Sequence, residues 1–65
     1  MMKLLNKRQV REKTSLSIQT ITRLENIGKF PLRLKLTDGN GIRVAWYEAE
    51  VDDWIAYRLA TRDSQ

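Results

Sequence analysis

Ser17, Gln19, Thr20 and Arg23 fall within two helical turns of one another and together offer two hydroxyls, an amide and a guanidinium. At 3.6 residues per turn, positions 19 and 23 nearly eclipse, so Gln19 and Arg23 project from one face, with Thr20 beside them. These are groups that read base edges in a major groove: glutamine pairs with adenine and arginine with guanine. Each good bidentate pair is worth roughly 1–3 kcal/mol of discrimination. Ile21 and Leu24 share another face and are available for burial. Ser17 stands where a helix N-cap belongs, its hydroxyl serving both the cap and a phosphate. Gly28 stands where a left-handed residue ends a helix. The pattern predicts a recognition helix over 17–27.

A reading helix needs elements that hold it against the duplex. Asn6 and Gln9 have the spacing of a capping box, and Leu5 and Val10 that of a hydrophobic staple. They predict a first helix from Lys7 to about Lys13, whose outer face carries Lys7, Arg8 and Arg11 across the DNA backbone. Residues 1–5 precede the cap and are expected to fray at the very end, with Leu4 or Leu5 as an anchor. Thr14 and Ser15 break the helix and Leu16 turns inward, which is a helix-turn-helix arrangement.

Pro31 pushes Phe30 towards extended backbone. Leu32, Leu34 and Leu36 then alternate with Arg33, Lys35 and Thr37, the period of a strand with an apolar inner and a basic outer face. Asp38-Gly39-Asn40-Gly41 is a strong turn signal, and Ile42 and Val44 alternate with Arg43 on the return. The expectation is a hairpin wing over 32–45 that sets Arg33, Lys35 and Arg43 on phosphates. The plainer alternative is an edge hairpin whose basic residues only discourage aggregation. Trp46 closes the hairpin, and a third helix starts near Tyr47. Glu48, Glu50, Asp52 and Asp53 crowd its first turns and Arg58 and Arg62 its last, both favoured by the helix dipole. Val51, Trp54, Ile55 and Leu59 form its apolar stripe. Trp54 is expected as the largest core side chain rather than as a base-stacking one. Residues 60–65 are expected to fray.

A chain of 65 residues is one small domain, here expected to be ordered over about 5–60. The fold class that results is α+β: a small winged helix-turn-helix with two short helices, a β-hairpin wing and a C-terminal helix. With no cysteine and no histidine, disulfides, thiolate metal sites and the usual catalytic triads lose their members. The carboxylates Glu12, Glu25, Glu48 and Asp52 come with no nucleophile, metal-ligand set or glycine-rich phosphate loop. Asp38 to Gly41 lacks the spaced ligands of a calcium loop. We therefore expect no enzyme, metal or cofactor. No apolar run approaches a membrane span and no signal-peptide core opens the chain, so a cytoplasmic location is the expectation. The net charge is +4, unevenly spread: residues 1–45 carry ten Lys/Arg against three Asp/Glu, a balance of +7, and residues 46–65 carry two against five, a balance of −3. A basic front and an acidic back suit a polyanion binder. Neutralising about six phosphates would give a salt slope near −5.

The ordered combination of Thr14-Ser15-Leu16-Ser17-Ile18-Gln19-Thr20-Ile21-Thr22-Arg23-Leu24, Gly28-Lys29-Phe30-Pro31 and Glu48-Ala49-Glu50-Val51-Asp52-Asp53-Trp54-Ile55 resembles AlpA-type phage regulatory proteins. These are winged-helix proteins related to excisionases and, more distantly, to MerR-type DNA-binding domains. The resemblance spans roughly residues 5–59. It departs from the family at Ser15, commonly glycine, at Ile18, often arginine, and at Thr22, often aromatic. Ser15 is thereby asked for a less comfortable backbone or a slightly different turn, and Ile18 for a thymine-methyl contact in place of a polar one. Asp38 makes the wing tip acidic, which would weaken its grip on DNA. The resemblance implies a sequence-specific double-stranded DNA-binding regulator of a prophage or integrated element. It equally implies an excision factor working with an integrase, and further copies of the chain on adjacent sites. A reading of another class makes the chain a protein-interaction module that docks through the acidic third helix by Glu48, Asp52, Asp53 and Tyr57.

Overall fold

A computed structural model describes residues 2–39 and 41–62. Met1, Asn40 and residues 63–65 lie outside the described residues, and with them one position of the expected turn and the last of the expected frayed end. Six elements follow one another: β1 (Leu4–Leu5), α1 (Lys7–Thr14), α2 (Ile18–Asn26), β2 (Leu34–Lys35), β3 (Val44–Tyr47) and α3 (Glu48–Thr61). The three strands form an antiparallel sheet in the order β1-β3-β2, with Leu5 opposite Trp46 and Leu34 opposite Ala45. This is the small α+β, winged-helix-like architecture expected from the sequence.

The anchor expected at Leu4 or Leu5 is present as a short strand. Leu4 and Leu5 pair with Tyr47 and Trp46, and the Glu48 N–H donates to the Lys3 carbonyl at 2.9 Å. Two leucines carry no periodicity of their own, so only the distant partner strand reveals them as a strand. α1 begins with the full capping box: Gln9 N–H to Asn6 Oδ1 at 2.8 Å, and Asn6 N–H to Gln9 Oε1 at 2.9 Å. Leu5 and Val10, the staple pair, are both buried. α1 ends at Ser15, whose N–H donates to the Arg11 carbonyl and whose φ of 62° is left-handed. A Cβ there crowds the carbonyl. Ser15→Gly is therefore expected to raise stability by roughly 0.5–1 kcal/mol in a urea titration.

α2 is capped by the Ser17 hydroxyl, which accepts from the Thr20 N–H at 3.2 Å. It ends in a Schellman motif: Lys29 N–H bonds to the Leu24 carbonyl at 2.8 Å and Gly28 N–H to the Glu25 carbonyl at 3.1 Å, with Gly28 at φ 73°. The reversed chain delivers Phe30 to the core and sets the Lys29 carbonyl to accept from Trp54 Nε1 at 2.7 Å.

The core cluster is Leu5, Val10, Ile21, Phe30, Trp46 and Val51, with Leu16, Ile18, Leu24, Val44, Trp54 and Ile55 packed around it. Its largest fully buried side chain is Trp46, not Trp54 as expected. Trp46 lies on the central strand, whereas Trp54 is half-buried, edge-on to Phe30 at 4.8 Å between centroids. Leu59, the last member of the expected stripe, is exposed. α3 continues through Ala60 and Thr61, where the Thr61 hydroxyl donates back to the Tyr57 carbonyl at 3.0 Å.

The wing departs furthest from its expected form. Its ladder is short, and the leucines expected to face inward, Leu32, Leu34 and Leu36, are exposed, as is Ile42. Among the described residues, no helix or second sheet layer covers them. Beyond the ladder, Leu36 N–H bonds to the Arg43 carbonyl at 2.7 Å, and Arg43 N–H bonds to Thr37 Oγ1 at 2.9 Å.

Candidate nucleic-acid interface

On α2, Gln19 and Arg23 are exposed, and neither meets an ion-pair partner among the described residues. Thr20 is half-buried, and its hydroxyl accepts from Ser17 Oγ at 3.0 Å. Ser17 and Thr20 thus satisfy each other at the helix start, leaving Gln19 and Arg23 as the outward pair. Ile18, considered above for a thymine methyl, is instead half-buried and packed against the core.

α1 presents Lys7, Arg8 and Arg11 to solvent. Arg8 leans on Glu12 at 3.5 Å, one turn along its own helix, a surface pair that is easily exchanged for a phosphate. Arg8, Arg11 and Glu12 line an open concavity with Ser15, Leu16 and Ser17. The structure therefore brings Arg8 and Arg11 of α1 next to the capped start of α2. On the wing, Lys35 and Arg43 are exposed and unpaired among the described residues.

Arg33 is a correction. Expected on the outer face with Lys35, it folds inward onto Glu25 of α2, Nη2 to Oε1 at 2.7 Å and Nε to Oε1 at 2.9 Å. Its Nη2 also donates to Thr22 Oγ1 at 2.9 Å, and its guanidinium lies over the Trp46 ring at 4.8 Å. The cause is Glu25, which is only 8% exposed and would be an uncompensated buried charge without that fork. Trp46 Nε1 donates to Glu25 Oε2 at 3.0 Å, and the Arg33 N–H donates to the same oxygen at 3.0 Å. Glu25 and Trp46 are the residues that the sequence reading missed. A signal existed, because Glu25 follows Ile18 and Ile21 on the helix stripe that faces the core. A carboxylate in that position requires a cation.

The acidic start of α3 is partly consumed inside the molecule. Lys13 Nζ lies 3.0 Å from Glu48 and 2.8 Å from Asp52, and Lys3 approaches Glu48 at 3.9 Å. The carboxylates of Asp52 and then Glu48 hold the Lys13 ammonium above the usual lysine range. Glu48 and Asp52, two of the candidate docking residues, thus tie α3 to α1. Asp53 and Tyr57 remain exposed, beside Glu50, Phe30, Pro31 and Trp54 in a shallow groove.

Among the described residues, no helix is long and apolar enough to cross a membrane. No curated protein and no solved structure matches the chain. A family model does: the one described as prophage CP4-57 regulatory protein (AlpA) matches residues 3–59, from just before β1 to near the end of α3. The chain belongs to the AlpA family of prophage regulatory proteins.

Proposed function

We propose that the chain is a sequence-specific double-stranded DNA-binding regulator of a prophage or integrated element, acting without a catalytic step. α2 enters the major groove with Gln19 and Arg23 on base edges, and Ser17 and Thr20 sit at the helix start near a phosphate. Lys7, Arg8 and Arg11 cross the backbone from α1, and Lys35 and Arg43 meet it from the wing.

The observation that carries this reading is which cations the fold neutralises. Lys3, Lys13 and Arg33 are paired with carboxylates from distant parts of the chain, whereas Lys7, Arg11, Arg23, Lys35 and Arg43 have no carboxylate among the described residues. These five are on α1, α2 and the wing, the three elements that a winged helix sets on DNA. Two further cations without a carboxylate among the described residues lie off them: Lys29 in the connection after α2, and Arg58 on α3, where it lies over the Trp54 ring.

Selection of duplexes from a random library, with sequencing of the bound fraction, tests the reading. An enriched motif supports base readout by α2. Retention without a motif would leave only backbone or shape recognition, and no retention would favour a protein-docking module. With Arg33 withdrawn, five backbone cations remain, so log K is expected to fall with log salt at a slope of about −4.5. A slope close to zero would refute the DNA interface.

A further inference from the structure

We infer that Glu25 and Arg33 are positioning residues for DNA recognition: one carboxylate on the reading helix holds both legs of the wing. The chain thereby requires a fixed spacing between the base pairs met by α2 and the backbone segment met by the wing. The inference rests on the DNA-binding reading above and extends it to the shape of the site.

Arg33 stands just before β2 and Trp46 stands in β3, so the two legs of the wing each reach α2 through a different residue. Both bond to Glu25. Its Oε1 accepts Arg33 Nη2 at 2.7 Å and Nε at 2.9 Å, and its Oε2 accepts Trp46 Nε1 and the Arg33 N–H, each at 3.0 Å. The same Arg33 fork reaches Thr22 Oγ1 at 2.9 Å, one turn earlier on α2. A planar fork meeting two points on one helix fixes direction as well as distance.

Apolar packing does not perform this task for the outer wing, since Leu32, Leu34, Leu36 and Ile42 are all exposed. Among the described residues, Glu25–Arg33 is also the one ion pair between α2 and the wing. Lys35 and Arg43 lie beyond this clamp, so where they meet a duplex is set by the angle it imposes. A wing free to swing would still carry its two charges, but it would lose the advantage of arriving already oriented.

Duplexes carrying the selected motif, shortened stepwise from either end, test the inference in binding titrations. Wild type is expected to lose about tenfold or more in affinity when the segment under Lys35 and Arg43 is removed. Glu25→Gln keeps the side-chain shape but sets an amide against the donors, and Arg33→Lys keeps the charge but removes the fork. Each variant is first shown to melt cooperatively. Each is expected to bind the shortened duplex as wild type does, yet to gain less than about threefold from the restored segment. Variants that retain the full wild-type gain would overturn the positioning role and leave the network as a fold-stabilising one. Wild type that binds DNA but gains nothing from the segment overturns the inference through the wing. Wild type that binds no duplex overturns the DNA reading itself, a result distinct from the other two.

Discussion

Trp46→Ala is expected to leave much of the protein unfolded at 25 °C. Trp46 is fully buried, lies on the central strand, faces Leu5 across β1 and holds Arg33 over its ring. Truncating such a side chain costs about 3–5 kcal/mol in lost burial and cavity formation. A domain of this size has a total stability of roughly 3–10 kcal/mol. The loss also removes the Nε1 donor from Glu25. Urea denaturation followed by far-ultraviolet circular dichroism should show the midpoint falling towards zero. Trp46→Phe, which keeps the bulk but not the N–H, should retain a cooperative transition. An unchanged midpoint in Trp46→Ala would mean that the core lies elsewhere.

Arg33→Ala is expected to cost about 3 kcal/mol of stability, the low end for breaking a buried pair, because the Arg33 side chain is 23% exposed against 7% for Glu25. Most of that loss comes from stranding the Glu25 carboxylate. Adding Glu25→Gln in the Arg33→Ala background should therefore recover a large part of it, a coupling that a double-mutant cycle reads directly. Lys35→Ala, by contrast, should leave stability nearly unchanged and lower the salt slope on DNA by about one. If Arg33→Ala and Lys35→Ala behaved alike in both measurements, the separation of a structural arginine from a phosphate-facing lysine would be wrong.

Local chemistry was legible in the sequence where a short pattern has one structural solution. The Asn6–Gln9 box, the Ser17 cap and the Gly28 stop place both helices of the helix-turn-helix within a residue of where they lie. At Ser15 the family resemblance, with its common glycine, left either a less comfortable backbone or a different turn, and the structure has the left-handed backbone. Tertiary demands were not legible. Alternation along 32–37 correctly indicates a strand, but not that both its sides lie exposed, with Leu34 and Lys35 alike in solvent. Only Arg33 turns inward, drawn by Glu25 eight residues upstream. Trp46 and Trp54 are equally apolar on paper. They differ in burial because one is on the central strand and the other on a helix rim. For the site itself, Gln19, Arg23, Lys7, Arg8, Arg11, Lys35 and Arg43 are exposed as expected, while Arg33 moved from surface to scaffold.

The central place of β3 in the sheet also fixes the order in which a nascent chain can become a protein. β1 and β2 both precede β3 in sequence, yet among the described residues each pairs with β3 alone. Both helices of the helix-turn-helix are therefore synthesised before any sheet exists to hold them, and helices this short are marginal in isolation. Residues 4 and 5 must wait for residues 46 and 47, a separation that spans most of the chain and makes folding a late, all-together event. A ribosome stalled before Trp46 would therefore carry no folded helix-turn-helix.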